Sequence, residues 1–498
     1  MFLFLLLIGL GLSAFLVYLR GKYNEMYWTK RGVRFHGKNK FMGIFWDFIT
    51  QNRPLFQICH DLYLQYPKER VVAFGSFFTP SLYIRDKNNV QFIMQSTSII
   101  DRGVDYNDGD QLADNVLFMS GIRWKLMRQK MTPLFTPSKL KNMYYIMDKS
   151  ARDFVEYLEK YPEKRKGNSF DTLTTFCCAA IGGAVFGIGS KSTFESPFLE
   201  CTRGAFYPTF WSNIKFSLAN LSPGLFKLFK LKFFSEYENF FIGAMKQVFR
   251  QREQEGNKKH DFADICLSIQ KSGDIKHDES GFKMAPTDEL LAAQGFFFFT
   301  AGVEPAATGV FGALIEMGRH PEIQKKVQEE IDSVFEKYQD NLTADAVGEM
   351  EYLEKVLSES LRVHPPIGFL TRRCIEDTVL PEGNIRIEKG TRVYTPIYEF
   401  HHDPEYFKNP EVFDPERFTD EAKQEMGVTY QPFGYGHRAC IGARYAKLQV
   451  KSGLAHILRN FDIKTIIHEG GIKYGKDQVQ LRMKNVDVEY IPRKVKSS

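Results

Sequence analysis

FGYGHRACIG, residues 433–442, sets three glycines around one cysteine. Gly434, Gly436 and Gly442 allow torsions that other residues resist, so this backbone can approach something flat very closely. Arg438, two residues before the thiol, supplies a fixed positive charge. From Ala443 the pattern turns helical (ARYAKLQVKSGLAHILRNF), which puts Cys440 just ahead of a helix N-terminus. That position and the arginine both favour thiolate over thiol. A lone buried cysteine is ordinarily inert packing. A cysteine in a glycine-rich loop, beside arginine and before a helix, is placed for chemistry.

Outward from this loop, apolar periodicity predicts long helices over 140–160, 236–256, 288–304 and 323–338. Strand-like pieces are few: VVAFGSF (71–77), SLYIR (81–85) and VDVEYIP (486–492). The expected fold is mainly α with a small β portion, in a single large domain without repeats or long linkers. Composition agrees. In 498 residues, 43% apolar and 25% charged exclude wholesale disorder, and 66 basic against 60 acidic residues leave +6, too thin for nucleic acid. Phe, at 45 residues, suggests a large core, an apolar cavity or lipid contact. The seven cysteines are odd in number and lack C-x-x-C spacing, which speaks against a zinc site or a disulfide framework.

No charge interrupts Met1 to Leu19, while Arg20, Lys22, Lys30, Arg31 and Arg34 follow. At 1.5 Å per residue this run approaches the ~30 Å of bilayer hydrocarbon. Residues 1–20 are therefore expected to be a retained anchor, with the positive flank leaving 21–498 in the cytosol. The stretch IKFSLANLSPGLFKLFKLKFF (214–234) is either a helical hairpin or a surface that dips into lipid. GGAVFGIGSKS (182–192) misses the glycine a phosphate loop requires before lysine and is expected to be a helix end and turn. His401 and His402 are adjacent, so they point apart and are expected in a loop or core rather than on a metal.

The loop also carries a resemblance. FGYGHRACIG resembles the haem-binding loop of the cytochrome P450 family, Phe-x-x-Gly-x-Arg-x-Cys-x-Gly, at every specified position. Four further segments stand in the family's order. Glu359-Ser-Leu-Arg362 resembles its Glu-x-x-Arg, and Phe413-Asp-Pro-Glu-Arg417-Phe its downstream Pro-x-Arg segment. Trp124-Lys-Leu-Met-Arg128 resembles its Trp-x-x-x-Arg, and Ala301-Gly-Val-Glu304 its oxygen-side motif. The likeness spans about 25–495, and DRGVDYN (101–107), WKLMRQKMTPLFT (124–136) and HHDPEYFKNPEVFDPERF (401–418) look most like insect microsomal members.

The resemblance implies haem b with Cys440 thiolate on the iron, a ligand that favours O–O cleavage. Phe433, Gly434, Gly436 and Gly442 would shield the sulfur and turn backbone N–H groups to it. Arg438, Arg128, Trp124 and Arg372 are expected to meet the haem propionates, with Arg102 either a fifth or a surface charge. Glu359 and Arg362 are i,i+3 neighbours that with Arg417 would form a buried ionic cluster steadying the loop. Part of Phe296–Phe299 would line the cavity over the haem. Lys125, Lys130, Arg444 and Lys447 would face an acidic NADPH-cytochrome reductase, and a cytochrome b-type donor is a further partner.

One departure stands out. Where the family usually has threonine after Ala-Gly-x-Glu, this chain has Pro305, with Thr308 three residues on. Proline takes the helical partner from the Ala301 carbonyl and is expected to kink the helix. Glu304 and Thr308 are then the expected catalytic groups. The leading expectation is an endoplasmic-reticulum monooxygenase of lipophilic xenobiotics, such as insecticides or plant toxins, or of endogenous lipids. The alternatives are a dehydratase or isomerase of oximes or hydroperoxides, and a haem protein that only binds lipophilic ligands.

Overall fold

The computed structural model describes residues 2–187, 209–255, 259–476 and 480–493. Helix Asp288–Arg319 is its axis. Thr287 caps it by accepting from the Leu290 N–H, Asp288 and Glu289 lie in the first turn and Arg319 in the last, matching the helix dipole at both ends. The expected pattern stops at 304, yet the helix runs on past Pro305, which neither ends nor breaks it. Proline removes one main-chain bond, and nearly every residue from Val303 to Met317 is buried, so packing outweighs the loss. Helix Ser169–Phe186, apolar all round, packs beside it. Both are long and apolar enough to cross a membrane by composition, but both are mostly buried within the protein and are core helices. The helices expected over 140–160, 236–256 and 323–338 are found at Pro137–Lys160, Glu238–Glu255 and Pro321–Lys337.

The β portion is a five-stranded sheet with spatial order 34–36, 71–74, 81–84, 392–396, 369–373, and four two-stranded pieces. Strand Arg392–Pro396 lies parallel to Ser81–Ile84 and antiparallel to Phe369–Arg373, pairing Arg373 with Arg392 and Arg372 with Val393. The strands at 369–373, 392–396 and 461–467 were not among those expected from the sequence; the first two are five-residue runs with little alternation, while the third alternates over Phe461–Lys464 directly after a helix. Residues 214–234 hold two successive short helices that pack on each other, Phe210–Leu221 and Pro223–Leu228. The 182–192 segment is a helix end as expected, with Gly187 left-handed at φ +65° after Phe186, and its residues 188–192 lie outside the described ones. The six described cysteines are free, and no group of three or more metal-ligating side chains occurs among the described residues.

Apolar side chains gather in two cores. The larger joins the helices around 288–319, and the smaller joins the sheet to the N-terminal segments. The 433–442 loop lies on the seam: Phe433 and Ile441 pack against the helical core and Tyr435 against the sheet core. Helix Tyr398–His402 crosses the same seam, and its Glu399 is a carboxyl in the wrong place for a charge. It is 1% exposed, neither carboxyl oxygen has a hydrogen-bond partner, and its neighbours are Tyr83 and Cys59. Burial pushes its pKa up to about 8. The folded state thus holds a proton that the unfolded chain releases above about pH 4.5, so this contribution to stability is lost as pH rises from there to about 8. Glu399→Gln, neutral at every pH, is expected to raise the melting temperature, with a gain that grows between pH 5 and pH 8.5. A gain that stays constant across this range would show that Glu399 is not protonated in the fold.

Candidate functional site

The 433–442 loop takes its shape from two glycines. Gly434 and Gly436 have φ of +72° and +70°, and a Cβ on Gly436 would lie 1.9 Å from the Met94 carbonyl oxygen. Gly436 therefore seats the loop against the end of helix Lys87–Gln95. Of the three loop glycines, Gly442 is the one whose N–H favours the Cys440 thiolate. The loop closes on itself as the Cys440 N–H donates to the Phe433 carbonyl at 2.8 Å. Helix Ala443–Asn460 begins directly after it, as expected.

Cys440 is accessible to solvent, yet the surrounding protein still strips enough water from it to push the thiol up. The Gly442 N–H, Arg102 and Arg128 pull the other way without cancelling the burial. This corrects the expectation that Arg438 lowers the thiol. The Arg438 guanidinium lies over the Trp124 ring at 3.8 Å and donates to the carbonyls of Ile100 (3.2 Å) and Met119 (3.0 Å). A metal ion bound at Cys440 would supply the further pull that holds the sulfur as thiolate.

Four guanidiniums converge here from four segments. Arg128 donates to the Ala439 carbonyl at 2.9 Å, Arg102 to the Arg438 carbonyl at 3.3 Å, and Arg372 to its neighbour Thr371 at 2.8 Å. Arg102, which the sequence left open as a surface charge, belongs to the group. Their acceptors are neutral carbonyls. Asp101 lies near Arg372 and Arg438, but Arg373 already holds it at 2.7 Å. Burial first, and mutual repulsion second, push Arg372 and Arg438 down to about 9, and burial takes Arg102 to about 10. Arg438 Nη1 and Arg102 Nε are buried without a hydrogen-bond partner. Buried cations facing no carboxylate, with donors to spare, suit an anionic group. The donor set fits a haem, with Cys440 for iron and the guanidiniums for two propionates.

Behind the loop, the expected ionic cluster is present. Glu359 and Arg362, both 0% exposed, form a bidentate pair at 2.7 and 2.8 Å, and Arg417 Nε donates to Glu359 at 3.1 Å. The Asp414 N–H adds a fourth bond at 2.9 Å. The reading from sequence missed how this cluster reaches the loop. Arg362 donates to the His401 carbonyl at 2.7 Å, the His401 ring bonds the Arg362 carbonyl through Nδ1 at 3.2 Å, and His401 Nε2 accepts from the Gln431 N–H at 3.1 Å. Burial first, then His402 and Arg362, hold this imidazole neutral, far below its usual range. His401 and His402 point apart as expected, the latter bonding the Tyr398 carbonyl.

On the 288–319 helix, Ala301, Glu304, Pro305 and Thr308 share one face, three and four residues apart. Along it Phe297 and Pro305 are partly accessible and Ala301 is exposed, with Thr300 and Gly302 beside it also partly accessible, in a mostly buried helix. Phe296, Phe298 and Phe299 turn away into the core, packing on Phe234 and Phe241, on Phe135 and Phe262, and on Phe186. Only Phe297 of the run fits the expected lining role. The Thr308 hydroxyl donates to the Glu304 carbonyl at 3.1 Å.

Comparison with known proteins agrees with the site. A family profile described as cytochrome P450 matches residues 37–487. Cytochrome P450 6j1 of Blattella germanica is 32% identical over 446 residues, 88% of this chain and 87% of that protein. Cytochrome P450 6B2 of Helicoverpa armigera is 30% identical, covering 88% of each chain, and probable cytochrome P450 6a13 of Drosophila melanogaster is 30% identical, covering 90% of each. These are insect proteins, as the 101–107, 124–136 and 401–418 segments suggested.

Glu359→Gln leaves the buried Arg362 and the half-buried Arg417 short of their counter-charge, and breaking a buried pair costs about 3–5 kcal/mol. The urea unfolding midpoint is expected to fall accordingly. An unchanged midpoint would show that the backbone carbonyls, and not Glu359, hold Arg362 and Arg417.

Proposed function

Because this chain belongs to the cytochrome P450 family, and with it is a haem-thiolate monooxygenase, we propose that Cys440 ligates the iron while Arg102, Arg128, Arg372 and Arg438, with the Trp124 indole, bind the propionates. The observation that carries this assignment is the set of guanidiniums bonded to backbone carbonyls, without carboxylates of their own, around Cys440, the one exposed cysteine among the described residues. When bound, the haem supplies reductive activation of O₂, helped by electron density from the thiolate, and insertion of one oxygen atom into substrate. The chain's part is to hold, exclude and deliver. The Arg102 and Arg128 fields and the Gly442 N–H stabilise the thiolate. Phe433 packs against the helical core beside the loop, and the Glu359 cluster, through His401, fixes Gln431 two residues before it.

On the oxygen side, Glu304 and Thr308 are the groups proposed to move protons. Thr308 starts with its hydroxyl bonded to the Glu304 carbonyl, so delivery requires that bond to exchange for one to water or substrate. Phe297, Ala301 and Pro305, the accessible positions of that face, are apolar, which favours lipophilic substrates. Members of the family draw electrons from a reductase. An NADPH-cytochrome reductase, with a cytochrome b-type donor second, would meet the exposed Lys125, Lys130 and Arg444; Lys447 is already bonded to Glu354 at 2.6 Å and contributes less. Residues 1–20 serve as the anchor, helical from Phe2 and exposed on all sides from Phe4 to Leu19 where side chains are described, with 21–498 as the haem domain on the cytosolic face of the endoplasmic reticulum.

Cys440→His tests the ligand. The reduced carbon-monoxide complex of the intact enzyme is expected to show a strongly red-shifted Soret band, and the variant to lose it while keeping haem. Retention of the band would remove Cys440 from the iron. Pro305 gives a second test. Pro305→Ala restores a backbone N–H, and Pro305→Thr adds a hydroxyl as well. If proton supply limits this enzyme, the Thr variant turns more NADPH into product than the Ala variant does. Glu304→Gln or Thr308→Val then lowers product yield, by up to the 10²–10⁴-fold, roughly, that a general acid contributes. Equal coupling in Thr and Ala, with no loss in the other two, would favour a substrate that brings its own activated oxygen.

A further inference from the structure

Helix Phe2–Thr29 is unbroken, and its two halves have opposite environments. From Phe4 to Leu19 the described large apolar side chains are 43–66% exposed around the whole circumference. From Arg20 onward the same helix is locked to the domain. Arg20 donates through Nε to the Phe77 carbonyl at 3.1 Å and through Nη2 to the Phe78 carbonyl at 2.8 Å. Asn24 donates to the carbonyls of Lys40 and Phe77, both at 3.2 Å, and Glu25 pairs with Lys40 at 2.6 Å. Gly21 lets the two backbones close up, since a Cβ there would meet Lys40 Cβ at 3.1 Å. One turn later Trp28 is 1% exposed, and Tyr27 and Arg31 both bond Glu388 at 2.7 Å. These contacts lie on two sides of the helix and tie it to three separate segments.

Exposed aromatics lie on the elements linked to the segment that clamps Arg20. Phe78, whose carbonyl holds Arg20, is 55% exposed. The next residue, Thr79, donates to the Leu221 carbonyl at the end of helix Phe210–Leu221, on which Trp211 is 69% exposed. Helix Phe45–Ile49 packs on that helix through Phe48 and Phe216, and its Trp46 is 48% exposed. Tryptophan with one apolar face and one N–H suits the headgroup level of a bilayer.

We propose that the contacts of residues 20–31 make the whole helix a rigid strut, so that its apolar half and the collar of Phe78, Trp46 and Trp211 meet a lipid bilayer as one preset docking surface. This rests on the reading of residues 1–20 as a membrane anchor. A loosely tethered domain would be free to tilt and rock. A domain on a strut enters the bilayer surface at one angle.

The test uses the full-length, haem-loaded chain in a Cys201→Ser background, with nitroxides at Ser13→Cys and Lys68→Cys, in phosphatidylcholine/phosphatidylserine nanodiscs and in detergent. The intact strut is expected to give one narrow distance distribution in both. Arg20→Ala/Asn24→Ala, and independently Glu388→Gln, are expected to at least double its width while the haem spectrum stays native. A broad distribution in the intact chain, or no widening in either variant, overturns the strut. Quenching of Trp46 and Trp211 by brominated acyl chains, assigned with Trp46→Phe and Trp211→Phe, is expected to fall by more than half when the clamp is cut. No quenching in a chain that floats with vesicles overturns the collar. Failure to float overturns the anchor reading itself, and the detergent distances still judge the strut.

Discussion

Four guanidiniums crowd together beside Cys440, bonded to backbone carbonyl oxygens and, for Arg438, laid over the Trp124 ring, and they push against one another. Each comes from a different place: the segment after the sheet core, a helix, a strand and the cysteine loop. None has a carboxylate of its own, and the one carboxylate nearby is committed to Arg373. The protein therefore carries an electrostatic load that a dianionic ligand relieves. Affinity for such a ligand and instability without it are the same free energy seen from two sides.

The load is carried by structure on the seam between the two cores. Glu359 gathers two guanidiniums and a backbone N–H, and its strength is transmitted to the loop by hydrogen bonds rather than by apolar contact, through Arg362, His401 and Gln431. Apolar packing fills volume but tolerates sliding. A directional chain from a rigid helix fixes the height of a loop to within the tolerance of a hydrogen bond. Phe433 and Tyr435, facing opposite cores, keep the loop from rolling about that chain.

What could be read in advance follows the range of the interactions involved. The cysteine loop was legible because its chemistry is packed into ten consecutive residues, and Glu359 with Arg362 because helical geometry makes i,i+3 residues neighbours. The mainly helical fold followed from long amphipathic stretches. Arg102 stayed ambiguous, since only the tertiary path of its segment decides whether it faces solvent or Cys440. The His401–Gln431 bond joins residues thirty apart in an irregular region, where no spacing rule applies. Gly436 carried a correct signal with an incomplete reason: its torsion is needed, but the close approach is to the Met94 carbonyl. Pro305 was read locally, as the loss of one main-chain bond and a kink, whereas burial on both flanks carries the helix on through it.

His401 has a consequence for how this sequence can drift. Its ring donates a hydrogen bond to one carbonyl and accepts one from a backbone amide at the same moment, in a fully buried position. Side chains of fixed charge can do only half of this, because lysine and arginine cannot accept and ionised aspartate and glutamate cannot donate. Arginine lies a single base change from histidine in the genetic code, so one of the easiest mutational steps away from this residue also severs the link to the cysteine loop. The amides asparagine and glutamine keep both a donor and an acceptor, and they are the narrow exits through which a lineage can leave histidine here.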